Sequence, residues 1–346
     1  MPTIMPHTPL GQSGLVVSRL AFGTMTFTAG NADMPSVYKT GTAAAEAMIG
    51  RALDAGITLF DTADGYAGGE SETMLCRALG AHRDRVAIAT KVGFRNGPAL
   101  DRQGLSRRHI LRSIDESLTR LGTDRVELYI AHREDPHTPL EETLDALDAV
   151  VRAGKALYLG VSNWQPWKIA AALEIQRARG LAPFTHAQMH YSLLGRDVER
   201  DFLPMAARYG LGLTVWGPLS GGFLTGKYDQ GRLDRADGRL SGFDLLPFDK
   251  ARGFALLDVM RPIAAAHGAS LAQLAIAWLL ARPGVSSVIL GASRMDQLDD
   301  TIAAAGLRLS ADEIEALDTA TALAPVYPHW FIQGLADAPM AAALAG

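Results

Sequence analysis

Gly56-Ile57-Thr58-Leu59-Phe60-Asp61-Thr62-Ala63-Asp64-Gly65-Tyr66 is a short β-branched and aromatic run that stops abruptly in acids, a glycine and a tyrosine. Residues 57–60 read as a buried strand, with Gly56 before it and a Gly-rich loop after it. Asp61 therefore falls at a strand's C-terminal end and Tyr66 in the loop that follows. Two further polar residues hold equivalent places. Lys91 closes the run Val86-Ala87-Ile88-Ala89-Thr90, and His132 closes Val126-Glu127-Leu128-Tyr129-Ile130-Ala131. Strand C-terminal ends share one face of a parallel barrel. A carboxylate, a phenol, an ammonium and an imidazole gathered there would form a proton-donor site suited to work beside a hydride source.

Outward from this stretch the pattern alternates strand and helix. A small hairpin is read at residues 9–17, around the turn Gly11-Gln12-Ser13-Gly14, and a first barrel strand at Leu20 to Thr24. Helical spacing covers 42–55, 70–79, a segment from Ser106 to Gly122, 164–179, 199–209, 250–267, 270–281 and 295–305. Strands are read at 57–61, 85–91, 125–131, 156–161, 184–189, 212–216 and 287–290. Thr138-Pro139-Leu140-Glu141 and Ser310-Ala311-Asp312-Glu313 read as capping boxes, the first with proline at the first helical position. With Leu20 to Thr24 counted, there are eight strands without a composition break. This predicts one (β/α)8 TIM barrel over 1–346, with its core at about 9–318 and a C-terminal tail, 319–346, over the barrel mouth. A doubly wound sheet would usually carry a Gly-rich dinucleotide turn after its first strand, and no GxGxxG occurs.

Composition excludes other classes. The apolar share of 48% supplies a large core, and a net charge of −4 without a basic stripe gives no nucleic-acid footprint. The pair Arg107-Arg108 reads as solvated helix surface. The lone Cys76 allows no internal disulfide and reads as a small buried apolar residue. No basic-then-apolar N-terminal segment appears, and the longest apolar run, Leu271 to Ala281, is too short for a membrane span. A cytoplasmic protein is the expectation. His186 and His190 have i, i+4 spacing but sit on a strand-like stretch without the accompanying glutamate, so no metal site is expected. His109 and His137 read as surface residues. Gly221 to Lys227 fits GxxxxGK, but Tyr228 replaces the Mg²⁺-binding Ser or Thr, which argues against an NTPase.

The ordered set of these pieces resembles the aldo-keto reductases. It comprises Asp61 and Tyr66 with Gly69-Glu70-Ser71-Glu72, then Lys91, then Leu128 to Arg133. It continues through Gly160-Val161-Ser162-Asn163, Gln188 to Leu194, Gly217 to Lys227, and Gly291-Ala292-Ser293-Arg294. The resemblance covers roughly residues 9–318. It implies a reductase that takes NADPH, or less often NADH, across the barrel mouth. By position it implies Tyr66 as general acid, Lys91 as the cation that lowers the phenol pKa, Asp61 as the partner of Lys91, and His132 as a contact of the substrate oxygen or a proton relay. For the cofactor it implies Gly23 and Thr24, then Ser162, Asn163 and Gln188 at the carboxamide and Trp216 stacked on the nicotinamide. Pro218, Leu219, Gly221 and Lys227 would lie over the pyrophosphate. Gly291, Ser293, Arg294, Gln297 and Asp300 would line the adenosine side, with Arg294 forking a 2′-phosphate in favour of NADPH.

Thr301 and Ala67 depart from the family pattern, in which Asn and Gly are usual, and Cys76 replaces a common glycine. Three readings stay open: a carbonyl reductase, an alcohol or sugar dehydrogenase working with NAD, and a redox-sensing subunit of the kind found with potassium channels. The partner is a small carbonyl or alcohol substrate, set by the loops 27–38, 94–104 and 229–247 and by the tail around Tyr327, Trp330 and Phe331. Oligomeric state is not legible.

Overall fold

The computed structural model describes residues 5–229, 239–242, 244–335 and 337–344, with the backbone alone at 241, 333 and 341. An antiparallel pair, β1 (His7–Pro9) and β2 (Val16–Ser18), opens the chain, with Thr8 opposite Val17. Gly11 at its turn has φ +60°. A Cβ there would lie 2.4 Å from the Gly212 nitrogen, so the hairpin packs backbone to backbone against the start of a later strand.

The barrel strands are β3 (Leu20–Gly23), β4 (Leu59–Asp61), β5 (Ala87–Val92), β6 (Val126–Ala131), β7 (Ala156–Ser162), β8 (Phe184–His190), β9 (Gly212–Trp216) and β10 (Val285–Leu290). Each pairs in parallel with the next, and β10 returns to β3 through Ile289 opposite Ala21, so the sheet closes as an eight-stranded barrel. The connecting helices are α1 (Thr42–Asp54), α2 (Glu70–Leu79), α3 (Arg107–Leu121), α4 (Leu140–Arg152), α5 (Pro166–Arg179), α6 (Phe202–Tyr209), α7 (Lys250–Ala266), α8 (Leu271–Leu280) and α9 (Met295–Ala303). After them come α10 (Ala311–Ala320), α11 (His329–Gly334) and α12 (Ala338–Leu344). Ser310 and Glu313 form the expected capping box on α10. Among the described residues no single helix is long and apolar enough to cross a membrane.

Two apolar layers follow from the two-residue period of the strands. Phe22, Phe60, Ile88, Tyr129 and Leu159 face the helices in the larger core. Ala21, Leu59, Ala87, Ala89, Leu128, Ile130 and Ile289 form the inner core, which the hairpin's Leu10 and Val17 join. Since alternate residues share a face, Asp61 continues the inner row of Leu59, and Lys91 that of Ala87 and Ala89. The fold thus lifts both charges into the barrel mouth.

Three expectations are corrected. Thr138 does not cap α4: its hydroxyl donates to Asp135 Oδ2 at 2.6 Å, and Pro139 takes the cap position without a side-chain bond. His109 is buried on the inner side of α3 beside Ser113 Oγ (3.3 Å), not at the surface. Cys76 is half-buried. The tail runs along the starts of α6 and α7, held by Arg200 and Arg252 on the Ala324 and Ala322 carbonyls and by His329 beside Asp201. Its rings Tyr327, Trp330 and Phe331 stay largely exposed and pack on one another. Among the described residues no bond or ring contact ties them to Tyr66 or His132. Of the insert expected at 229–247, residues 230–238 and 243 lie outside the described residues. Leu240 reaches back against Gly221, where a Cβ would meet it at 2.9 Å.

Candidate active site

The four residues read from the strand ends come together. Lys91 Nζ is fully buried and donates to Asp61 Oδ1 (2.6 Å), to the Thr62 carbonyl (2.6 Å) and to Tyr66 Oη (3.3 Å). Gln188 Nε2 donates to the other Asp61 oxygen at 2.7 Å, so both carboxylate oxygens have partners. The His132 ring stands edge-on to Tyr66, with centroids 5.7 Å apart, and Phe94 closes its other side at 4.6 Å. His132 Nδ1 is buried without a partner.

Electrostatics assign the protonation states. Burial works against the Lys91 ammonium, but Asp61 and Tyr66 outweigh it and hold Lys91 above its ordinary value. His132 lies well below the usual imidazole range because it is buried, with Lys91 and Arg133 adding to the effect, so it is neutral at pH 7. For Tyr66 burial outweighs the expected lowering by Lys91. Asp61 also opposes that pull, and the phenol is raised. Tyr66 therefore holds its proton at neutral pH, as a donor must.

The loop carrying Tyr66 is tightly turned. Ala67, Gly68 and Gly69 all have positive φ (49°, 66° and 95°), which explains why glycine suits position 67; alanine there accepts strain of about 1 kcal/mol. Thr24 lies beneath: its hydroxyl bonds Ser71 Oγ (2.6 Å) and the Asp61 carbonyl (3.1 Å). Through its buried side chain, Thr24 thus supports Asp61. Gly23 sits against Ile289, where a Cβ would come within 2.8 Å.

Across the mouth, Asn163 has φ +59°, a conformation asparagine tolerates better than most residues. It donates to the His132 carbonyl (3.1 Å) and to Ser162 Oγ (2.9 Å), and it accepts from Trp216 Nε1 (3.0 Å). Asn163 is thus the hub joining three of the expected residues, while Gln188 has Oε1 left for a ligand amide. After β9, the loop through Pro218 and Leu219 enters a 3-10 turn, Ser220–Thr225. Ser220, Gly221 and Gly222 run left-handed in succession (φ 48°, 69° and 88°), a backbone form that makes anion-binding concavities. A Cβ on Gly222 would lie 3.2 Å from Lys227 Nζ, so glycine leaves room for that ammonium.

On the far side, Gly291 follows β10, and Ser293 donates through its N–H (3.1 Å) to Gln297 Oε1. Arg294 caps α9 and pairs with Asp296 at 3.0 Å. Asp300, expected on the adenosine side, is engaged within the fold. Its oxygens accept from Ser270 Oγ (2.8 Å) and Gln273 Nε2 (2.7 Å), which ties α9 to the start of α8. Among the described residues no three His, Cys, Asp or Glu side chains are grouped to hold a metal. Four residues along β8 separate His186 and His190 by about 13 Å.

Sequence reasoning assigned no role to Asp64, although it sits inside the opening stretch. It is buried, with Oδ1 unpartnered among the described residues and Oδ2 accepting from Asn96 Nδ2 at 3.3 Å. Burial, then the nearby Glu72, push its pKa to about 7; Asn96 and Arg120 pull the other way. Between its unfolded and folded values the native state binds the extra proton, so stability falls as pH rises from about 4 to 7. Asp64→Asn is expected to flatten that slope, which can reach about 1.4 kcal/mol per pH unit. Denaturant melts at pH 4.5 and 7 check it, and an unchanged slope would refute the assignment.

An eight-stranded α/β barrel with a buried Lys–Asp pair on a tyrosine hydroxyl, beside a neutral histidine, places the chain among the barrel oxidoreductases. The comparisons agree. The model of the Aldo/keto reductase family matches residues 19–322, and the chain belongs to that family. It is 38% identical over 311 residues to a "Probable voltage-gated potassium channel subunit beta" from Oryza sativa subsp. japonica, covering 87% of this chain and 91% of the relative. It is 35% identical over 285 residues to L-glyceraldehyde 3-phosphate reductase from Escherichia coli (strain K12), covering 79% and 82% respectively.

Proposed function

We propose that this protein is an NADPH-dependent carbonyl reductase in which Tyr66 protonates the oxygen of an aldehyde or ketone. The observation that carries this reading is the Lys91 ammonium, held by Asp61 at 2.6 Å while it reaches the Tyr66 hydroxyl at 3.3 Å. The proton passes from Tyr66 Oη to the carbonyl oxygen. The tyrosinate left behind is stabilised by Lys91, whose own charge Asp61 balances in a water-poor site. Neutral His132 offers one ring nitrogen to the same oxygen. The cofactor, when bound, supplies the hydride.

The chain's own features fit a dinucleotide. Gln188 and the Ser162–Asn163–Trp216 network would hold the nicotinamide end, and the left-handed turn Ser220–Gly222 with Lys227 the pyrophosphate. Ser293, Arg294 and Gln297 would take the adenosine end, where the start of α9 suits a phosphate.

The test is oxidation of NADPH with 4-nitrobenzaldehyde. Turnover supports the reductase reading; tight nucleotide binding without turnover would favour the redox-sensing reading, as a subunit of the kind the rice relative's name prints, a potassium channel subunit beta. A preference for NADH would favour a dehydrogenase. Arg294→Ala is expected to raise KM for NADPH by about tenfold or more, the worth of a charged hydrogen bond, and to leave KM for NADH within about twofold. Equal effects on both nucleotides would remove Arg294 from the 2′-phosphate site.

A further inference from the structure

His190 ends β8 directly opposite Trp216 at the end of β9, and the two rings are in contact, with centroids 4.9 Å apart. Two glycines enclose the imidazole. A Cβ on Gly195 would lie 2.3 Å from its Cε1, and one on Gly217 2.9 Å from its Cδ2. The first glycine is delivered by the tight turn after β8, where Ser192 and Gly195 exchange both backbone hydrogen bonds at 3.1 Å. The second opens the loop that leads to the left-handed turn Ser220–Gly222. Nε2 is buried with no hydrogen-bond partner, so the ring acts by shape and not by bonding. Burial holds its pKa near 4, which keeps it uncharged at neutral pH.

We propose that His190 is a positioning residue for the nucleotide: wedged between Gly195 and Gly217, it fixes the plane of the Trp216 indole and the start of the phosphate loop together. The indole is thus pinned at two points, by Asn163 at its nitrogen and by His190 on its ring. This inference rests on the reading of Trp216 as a nicotinamide platform. Preorganising such a platform lowers the ordering cost of binding, and the affected quantity is cofactor affinity rather than proton transfer.

The test compares NADPH binding, by nucleotide fluorescence, and steady-state kinetics with 4-nitrobenzaldehyde. His190→Ala removes the wedge. Gly195→Ala drives its methyl into the same ring while leaving residue 190 a histidine, at a backbone position outside the left-handed region. Each is expected to weaken NADPH about three- to tenfold, the ratio one aromatic pair corresponds to, with kcat at saturation within about twofold. In a Trp216→Ala background, His190→Ala should add clearly less than it does alone, because the share of its effect that runs through the indole is already lost. Should His190→Ala fail to fold, Gly195→Ala and His190→Asn carry the same comparison. Unchanged affinity in the folded variants, or an undiminished effect without the indole, would overturn the inference alone. Binding of neither NADPH nor NADH by the unsubstituted protein would overturn the cofactor reading as well.

Discussion

Tyr66→Phe is expected to lower kcat by about two to four orders of magnitude, the usual worth of a positioned general acid, while NADPH still binds. The substitution removes a single oxygen. Among the described residues its hydrogen-bond partner is Lys91 Nζ at 3.3 Å, the longest of the three bonds that ammonium makes. Lys91 keeps Asp61 and the Thr62 carbonyl, and the phenyl ring keeps its edge contact with His132. Nothing in the site should therefore collapse, and a thermal melt close to the parent's is expected alongside the lost turnover. Neutral His132 cannot replace the phenol. Its pKa lies well below the imidazole range, so it carries no spare proton at pH 7. Turnover within about tenfold of the parent would remove Tyr66 from the donor role and move attention to His132 with water.

Much of this site was legible from the chain because strand-end chemistry is local. A strand of alternating faces places its last residue predictably, and Asp61, Lys91 and His132 each follow an apolar run that could only be a barrel strand. What was not legible depends on competition between partners distant in sequence. Thr138 and Glu141 have the spacing of a capping box, yet Asp135, three residues upstream, takes the hydroxyl. Asp300 gives no sign in the sequence of the bonds it accepts from Ser270 and Gln273 of the preceding helix. The sign of the Tyr66 shift depends on how deeply the phenol is buried, which no spacing reveals. Asp64 and His190 were visible as letters, but their roles come from what surrounds them: an unpartnered oxygen in one case, two glycines in the other. His109 shows the same limit, since one turn of helix decides between surface and core.

Lys91→Met is expected to cost about 3–5 kcal/mol of stability, the penalty for leaving a buried charge uncompensated. The side chain is fully buried and the Asp61 side chain 6% exposed, so water can replace little of what Nζ supplies. Without it, Asp61 Oδ1 loses its donor and keeps only the bond from Gln188 on Oδ2. Pairing the change with Asp61→Asn removes the stranded charge. The double variant should recover most of the loss, because well-packed uncharged groups often match a buried ion pair in stability. Turnover should stay low in both, since neither retains an ammonium beside the Tyr66 hydroxyl. Denaturant titration of the two variants separates these effects. A loss below about 1 kcal/mol in Lys91→Met would mean that the site admits enough water to solvate Asp61, contrary to its burial. Recovered stability with absent turnover would show that the chain keeps this pair for its chemistry and gains little stability from it.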